Sequence, residues 1–381
     1  MTVKFLVAGD FFIDPNFMTR FDTANILSPK LRQFILQHDY RVVNFEAAIG
    51  EGCEPIPKSG PNLCALEASA STLQRFGFDS ATLANNHAMD FGEQGLIQTI
   101  SALKSHGLSV VGAGSNIQAA RRPLTVTLKG QKIALLNYCQ HEWGVSKYQQ
   151  AGVAGFDAQR DLSEIRQLKS AGYVTVVITH MGHEHFQGQT PTPKNIIELY
   201  AQGGADVIIN HHPHVTGGRA KILDSFSLSS IGNFLFTPQL FDAGKVGKIG
   251  AIGSLEINSG KVLRAEMVPI SWNPEKDRLD FICGDSYEEW EKGFHRLSAE
   301  LTSEHEAQRA LEKLCILRKK EYLSRVEPID NKVLRALKAL GIFRGFWPRR
   351  RKRALLNVIR CEAHREALIR ILEDELEGGK E

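Results

Sequence analysis

Five short apolar runs in this chain each end on a carboxylate, a carboxamide or an imidazole, and this arrangement limits the fold more than any bulk property. Val3-Lys4-Phe5-Leu6-Val7-Ala8 leads into Gly9-Asp10, and Val42-Val43-Asn44-Phe45 leads into Glu46. Thr82-Leu83-Ala84 leads into Asn85-Asn86-His87, and Val176-Val177-Ile178-Thr179 into His180. Val207-Ile208-Ile209 leads into Asn210-His211-His212-Pro213-His214. Short β-branched runs of this kind read as buried strands. In open α/β sheets, ligands bind just beyond the carboxyl ends of the strands, so polar side chains placed there converge.

The runs belong to a longer rhythm. Strands are expected over 3–8, 41–45, 80–84, 108–111, 132–138, 174–179 and 206–209, with helices near 28–38, 68–76, 93–106, 158–171 and 193–203. Pro29 and Pro193 stand close to two of the helix starts, where a missing N–H costs nothing. Strands alternating with helices imply an α/β fold with largely parallel pairing. After residue 215 the pattern changes. Stretches 225–236, 251–257 and 262–270 read as strands, the last two joined by the turn Asn258-Ser259-Gly260, and are expected to form a second, more antiparallel sheet of the same domain. Past about 275 charged residues become dense and helical patterns run near 285–323, 330–340 and 350–377. The division expected is therefore a domain over 1–275 and a helical C-terminal region over 276–381.

At 381 residues the chain suits one large domain with an appendage. A net charge of +3 is near neutral, so nothing global calls for a nucleic-acid partner, and none is expected. The six cysteines lie far apart without a Cys-x-x-Cys pair, which fits reduced thiols in a cytoplasmic protein. Lys4 is followed by only four apolar residues before Gly9-Asp10, so no secretory leader is expected there, and no window is apolar enough to span a bilayer.

Taken singly, the polar strand ends mean little. Asp10 after a glycine reads as a cap, Glu46 as a solvated strand end, and a lone histidine is more often structural than ligating. His212-Pro213-His214 is more telling, because three imidazoles within 210–214 have little packing rationale and proline fixes the backbone that aims them. Taken in order, the set Asp10, Glu46, Asn86, His180, His212 and His214 has the chemistry of a site for two divalent ions, manganese, iron or zinc. Such a pair clamps a phosphoryl group and generates hydroxide at neutral pH, with His87 beside it as general acid.

With these segments in view, the chain resembles the CapA family, the capsule or poly-γ-glutamate biosynthesis branch of the calcineurin-like metallophosphatase superfamily. The segments that carry the likeness are Ala8-Gly9-Asp10, Asn44-Phe45-Glu46, Ala84 to Gly92, His180-Met181-Gly182-His183-Glu184, Gly204 to His214 and Ile231-Gly232-Asn233-Phe234, covering roughly 1–270. The resemblance implies a metallophosphatase-like four-layer α-β-β-α sandwich. It implies metal ligation by Asp10, Glu46, Asn86, His180, His212 and His214, and catalysis by His87. It gives Glu184, Asn85, His211 and Asn233 roles in substrate binding or in supporting the ligands. One departure stands out: the superfamily's Asp-x-His is Asp10-Phe11-Phe12 here, so one metal position lacks an imidazole. His183 and His185 are nearby imidazoles for which a polar pocket wall is the favoured role, and Asp14 and Asp90 could support the ligands.

Two readings of function follow. In the first, the chain is a metal-dependent hydrolase acting on an anionic substrate, a phosphoester or a polymer, in surface-polymer biosynthesis. In the second, it is a non-catalytic metal-binding component of a polymer-synthesis complex. The run Arg349-Arg350-Arg351-Lys352-Arg353, following Phe343, Phe346 and Trp347, suits weak contact of 343–353 with an anionic membrane surface. A solvated helix start, its charge offset by Glu362, Glu366, Glu373, Asp374 and Glu375, is the favoured account of that run.

Overall fold

The computed structural model describes residues 1–237, 248–326 and 349–378. Two facing β-sheets form its frame. In the first, β1 (Val3–Phe12), β2 (Tyr40–Phe45), β3 (Ser80–Thr82) and β4 (Ser109–Val111) lie side by side and parallel. The second contains β5 (Leu124–Leu128), β6 (Gln131–Cys139), β7 (Val174–His180), β8 (Val207–His211), β9 (Arg219–Ile222) and β10 (Ser225–Leu228), in the order β9-β10-β8-β7-β6-β5. Its four central strands are parallel, and β5 and β9 pair antiparallel at the edges.

The chain then returns to the first sheet. β11 (Asn233–Phe236) pairs in parallel with the end of β1 on the edge opposite β2, and β12 (Ile249–Asn258), β13 (Lys261–Asn273) and β14 (Arg278–Phe281) extend the sheet antiparallel from the start of that same edge. This corrects the expectation of a separate antiparallel sheet after residue 215. Stretch 225–236 is two strands in two sheets, broken at Gly232 with φ 62°. The following hairpin caps the open edge of β1, whose backbone groups would otherwise lack partners.

Period-two alternation distributes the core. Phe5 and Val7 of β1 point between the sheets to meet Leu135, Val176, Ile178, Val207 and Ile209. Leu6 and Ala8 point outward to α1 (Pro29–Leu36), α2 (Ala68–Phe76) and α3 (Gly92–Ser105) through Leu31, Ile35, Leu73, Leu96 and Leu103. On the far side Leu136, Val177 and Ile208 meet Ile165 of α4 (Ala158–Ser170) and Ile197 and Tyr200 of α5 (Pro191–Gly203). The result is the α-β-β-α sandwich of the metallophosphatase-like fold. The helix ends are locally specified: Ser28 Oγ accepts from Leu31 N and the Asp157 carboxylate from Arg160 N, with prolines at the first positions of α1 and α5.

Four further helices follow: α6 (Asp285–Glu300), α7 (Glu304–Val326), α8 (Arg349–Arg360) and α9 (Glu362–Gly378). The long pattern over 285–323 is thus two helices, the second started by Ser303, whose Oγ accepts from Glu306 N at 3.2 Å. The stretch 330–340 and Phe343, Phe346 and Trp347 lie outside the described residues, while Arg349 to Arg353 open α8. Helices α7, α8 and α9 share a small core of Leu311, Leu314, Tyr322, Val358, Leu368 and Ile371. Polar contacts fasten them to the sandwich: His141 Nδ1 to Glu362 Oε1 at 2.5 Å, Thr192 N to Glu366 Oε1 at 2.8 Å and Arg318 Nη2 to the Glu184 carbonyl at 3.0 Å. No helix among the described residues is long and apolar enough to cross a membrane.

Candidate metal centre

The carboxyl ends of β1, β2, β3, β7 and β8 open onto one rim shared by both sheets, and the polar residues that follow them meet there. Asp10 lies within β1, Glu46 directly follows β2, Asn86 and His87 lie in the loop after β3, His180 closes β7, and His212 and His214 follow β8. All are buried. Gly9 makes the convergence possible: a Cβ there would fall 2.0 Å from the Gly232 carbonyl oxygen, which accepts the Asp10 N–H at 3.0 Å.

The donors fall into two groups that share Glu46. In one, Glu46, His180 and His212 offer ligand atoms within 4.8 Å of one another, with His212 Nδ1 3.0 Å from His180 Nε2 and Asn86 Oδ1 also 3.0 Å from His180 Nε2. In the other, Asp10, Glu46 and His214 do the same; His214 Nδ1 is 3.2 Å from Asp10 Oδ2, and His214 Nε2 is 3.6 Å from Glu46 Oε1. Glu46 is completely buried, yet neither of its oxygens receives a hydrogen bond among the described residues. A buried carboxylate without donors is strongly unfavourable unless a cation compensates it. The hard carboxylate oxygens shared by the two groups and the flanking imidazoles are donors that divalent transition metals take, so the residues fit such ions.

The electrostatics of the residues alone divide: although burial opposes it, Glu46 and Asp10 raise His214 to about 10, while the other two imidazoles are lowered. Burial raises Glu46 to about 8. Burial lowers His180 and His212 to about 4, with His214 adding to the effect at His180 and His180 at His212, leaving both imidazoles neutral, as ligation requires. Burial opposes ionisation of Asp10 too, but the hydrogen bond and charge of His214 hold it well below the usual carboxylate range.

Supporting contacts orient these groups. Asn44 Nδ2 donates to Asp10 Oδ1 at 2.8 Å. On its outer side His212 Nε2 meets Gln140 Nε2 at 3.1 Å and Glu142 Oε1 at 3.4 Å. His87 Nδ1 contacts Asp90 Oδ2 at 2.7 Å, Lys58 Nζ sits 3.1 Å from the same nitrogen, and Lys58 and Asp90 form a buried ion pair. With Nδ1 so engaged, Nε2 is the nitrogen left to act. The His212 and His214 backbones have φ of 91° and 57°, a region costly for non-glycine residues and found at functional sites.

The remaining sequence-expected residues take varied places. Asn85 turns inward, its Oδ1 accepting from His87 N and Ala88 N, so it shapes the loop that presents Asn86 and His87. Asn233 pairs with Asp10 in the β1–β11 register and brings Oδ1 to 2.9 Å from His214 Nδ1. His211 is buried behind the centre with both ring nitrogens unpartnered among the described residues. His183 and Glu184 line a cavity of about 170 Å³ beside the centre, with Lys58, Asn86, His87 and Glu142. His185 is exposed, and Asp14 is a helix cap that accepts from Asn16 N. Phe12, where the superfamily has an imidazole, is buried against Phe236, whose ring lies 4.8 Å from that of His214. Lys58 carried no signal because it lies in an irregular loop, whereas Gln140 and Glu142 follow the end of β6 and were passed over because the apolar run there leads into Tyr138-Cys139 rather than into a charged or imidazole residue. Asn357 and His364, which line the same cavity from α8 and α9, carried no signal beyond a charged helical pattern.

Residues 4–238 match the family described as bacterial capsule synthesis protein PGA_cap. Over 212 residues the chain is 28% identical to the capsule biosynthesis protein CapA of Bacillus anthracis, covering 53% of this chain and 52% of that protein. Over 171 residues it is 29% identical to the PGA biosynthesis protein CapA of Bacillus subtilis strain 168, covering 44% and 45%. The matches thus span about half the length of these relatives. Among solved structures, a hypothetical protein from Thermus thermophilus aligns with a TM-score of 0.44 and 14% identity, over 70% of this chain and 98% of that one.

Proposed function

We propose, on the premise that this chain belongs to the bacterial capsule synthesis protein family PGA_cap, that it is a dinuclear metal-dependent hydrolase of an anionic ester in capsule or poly-γ-glutamate formation. The observation that carries the proposal is Glu46, a buried carboxylate without hydrogen-bond donors, common to two clusters of imidazole and carboxylate ligands. Glu46, Asn86, His180 and His212 would hold one ion, and Asp10, Glu46 and His214 the other, with the Asn233 carboxamide beside them. Two such ions lower the pKa of bound water and stabilise charge on a phosphoryl group.

The chain's own residues supply the rest. Asp90 fixes His87 through Nδ1, so that Nε2 can give its proton to the departing oxygen. Lys58 and Arg318 line the cavity, but each is paired, with Asp90 and Glu321, and Glu142 and Glu184 line it too, so affinity for an anionic substrate would rest on the bound ions. The cavity's modest volume suits a compact group, such as a monoester or chain end. The six cysteines, none paired, support a reducing compartment, the cytoplasm, for this step.

The second reading, a non-catalytic metal-binding member of a polymer-synthesis complex, draws its support from Phe12, which leaves the Asp10 group short of one imidazole. Elemental analysis and phosphoester turnover separate the two. The hydrolase reading expects Glu46→Gln to lose about two ions per chain relative to the parent, as a shared bridging ligand should. It expects His87→Ala to keep the metal and lose turnover. Metal retained without turnover in the parent chain supports the second reading, and no metal difference in Glu46→Gln overturns both.

A further inference from the structure

A second set of soft and hard donors lies outside the Glu46 centre, where the C-terminal helices meet the sandwich. Glu142, in the loop after β6, Cys361, between α8 and α9, and His364, in the first turn of α9, present a carboxylate, a thiol and an imidazole within 4.8 Å of one another. Cys361 and His364 stand three residues apart, which places them on one face of the helix start. Burial and then the Glu142 charge push the Cys361 thiol well up, against the backbone amides of His364 and Ala363, which favour the thiolate. A cation beside it would complete the deprotonation.

Glu142 divides its two oxygens. Oε1 serves the Glu46 centre, accepting from Gln140 Nε2 at 2.8 Å and lying 3.4 Å from His212 Nε2. Oε2 turns the other way and meets a long contact from Asn357 Nδ2, at 3.4 Å. The same amide nitrogen lies 3.4 Å from His364 Nδ1, so the Asn357 carboxamide sits between two of the three donors. Asn357 is only 5% exposed, yet its Oδ1 has no hydrogen-bond partner among the described residues. Arg360, of the same segment, stacks its guanidinium 4.0 Å over the Trp143 ring. A cation among the three donors would satisfy the weakly held carboxylate oxygen, with a buried thiol and an imidazole beside it, and would favour a carboxamide turned over so that its orphaned oxygen replaces Nδ2 on that side.

We propose that Glu142, Cys361 and His364 form a separate site for a thiophilic divalent cation, zinc by its donor set, which fastens α8 and α9 to the catalytic face. Thiolate and carboxylate together neutralise a dication, and imidazole completes a donor set typical of zinc. Zinc–ligand bonds of about 2.0–2.3 Å need donors roughly 3.3–3.8 Å apart, so a cluster with donors within 4.8 Å closes by up to ~1.5 Å on binding. Water from the adjoining cavity takes the fourth position, or Asn357 Oδ1 does once the carboxamide turns over, since Nδ2 is the atom that faces Glu142 and His364. The site extends beyond the segment matched by the family, and it lies one carboxylate away from His212.

Cobalt loading of the full-length chain tests this apart from the catalytic proposal. Only a thiolate ligand gives sulfur-to-cobalt charge-transfer absorption, and the Glu46 centre has no sulfur. The parent chain should show this absorption. Cys361→Ser should lose it along with about one ion per chain, while Cys139→Ser and Glu46→Gln should retain it. Absorption missing from the folded parent chain, or surviving in Cys361→Ser, overturns the proposal. His364→Ala guards against misfolding of the cysteine variant: it should weaken cobalt affinity at the sulfur-containing site while circular dichroism stays unchanged, and unchanged affinity also overturns the proposal.

Discussion

Glu142 Oε1 stands 3.4 Å from His212 Nε2 on the side of the ring opposite His180, whose Nε2 is 3.0 Å from His212 Nδ1. The imidazole is therefore held between a carboxylate and the ligand cluster, an arrangement that fixes its tautomer and raises its basicity. Removing the charge should weaken ligation at the His180–His212 group without removing one of that group's own ligands. Glu142→Gln is expected to lose about 10–100-fold in affinity for the ion at the His180–His212 group. Chelator competition measures it, and an unchanged affinity would show that Glu142 does not orient His212.

The Asp90–His87 pair acts on proton transfer. Asp90 Oδ2 contacts His87 Nδ1 at 2.7 Å and also accepts from Leu63 N at 2.6 Å, so one carboxylate fixes both the ring and the loop over it. Asp90→Asn should leave the metal content intact and lower kcat on a phosphoester by up to about 10²–10⁴-fold, the range of general acid catalysis. Leaving groups that need no proton should be affected least. Equal losses on good and poor leaving groups would place the role of Asp90 in the fold of the loop.

The convergence of Asp10, Glu46, Asn86, His87, His180, His212 and His214 was legible because each follows an apolar strand and strand ends share a rim in α/β sheets. The supporting groups were not. Glu142 sits in an irregular loop and meets Asn357 across 215 residues of sequence, so no local periodicity connects them. The sheet assignment failed at Gly232 for a related reason. An apolar run reads as one strand, whereas a positive-φ glycine lets its halves join different sheets. The lost imidazole at Phe12 was visible in sequence, but the approach of Asn233 to His214 depends on β11 pairing with β1.

His38 gives the fold a pH response away from the centre. It is buried at the end of α1, its Nδ1 2.8 Å from the Phe34 carbonyl and its Nε2 2.9 Å from Ser254 Oγ. Burial lowers its pKa below 6.5, outweighing the Phe34 hydrogen bond. The unfolded chain therefore binds the proton first, and stability falls as the pH drops below 6.5 toward the folded-state value. With metal bound, so that the ligand imidazoles do not titrate, stability should fall by at most about 1.4 kcal/mol per pH unit from this group. Urea unfolding of His38→Gln against the parent between about pH 7 and pH 5 should show a shallower slope for the variant. Equal slopes would remove His38 as the cause.

Arg121 anchors the second sheet to α4. Its guanidinium donates to Glu164 at 2.9 Å and 3.0 Å and to the Gly155 carbonyl at 3.0 Å, and it forms a buried ion pair with Asp161. Tyr200 Oη also donates to Asp161, at 2.7 Å. Even so, burial keeps the Asp161 carboxyl raised to about 6. Arg121→Met leaves that carboxylate buried without its cation and should cost about 3–5 kcal/mol at neutral pH, while Arg121→Lys, which lacks the planar fork, should recover only part. A carboxyl with a raised folded-state pKa contributes stability at low pH and loses it as the pH rises through that value. The cost of Arg121→Met should therefore shrink at about pH 5, where a protonated Asp161 no longer needs a counter-charge. Urea midpoints at about pH 5 and pH 8 read the difference directly. An equal penalty at both would mean that the loss comes from packing against the Tyr138 ring, 4.8 Å from the guanidinium carbon, and not from the stranded charge.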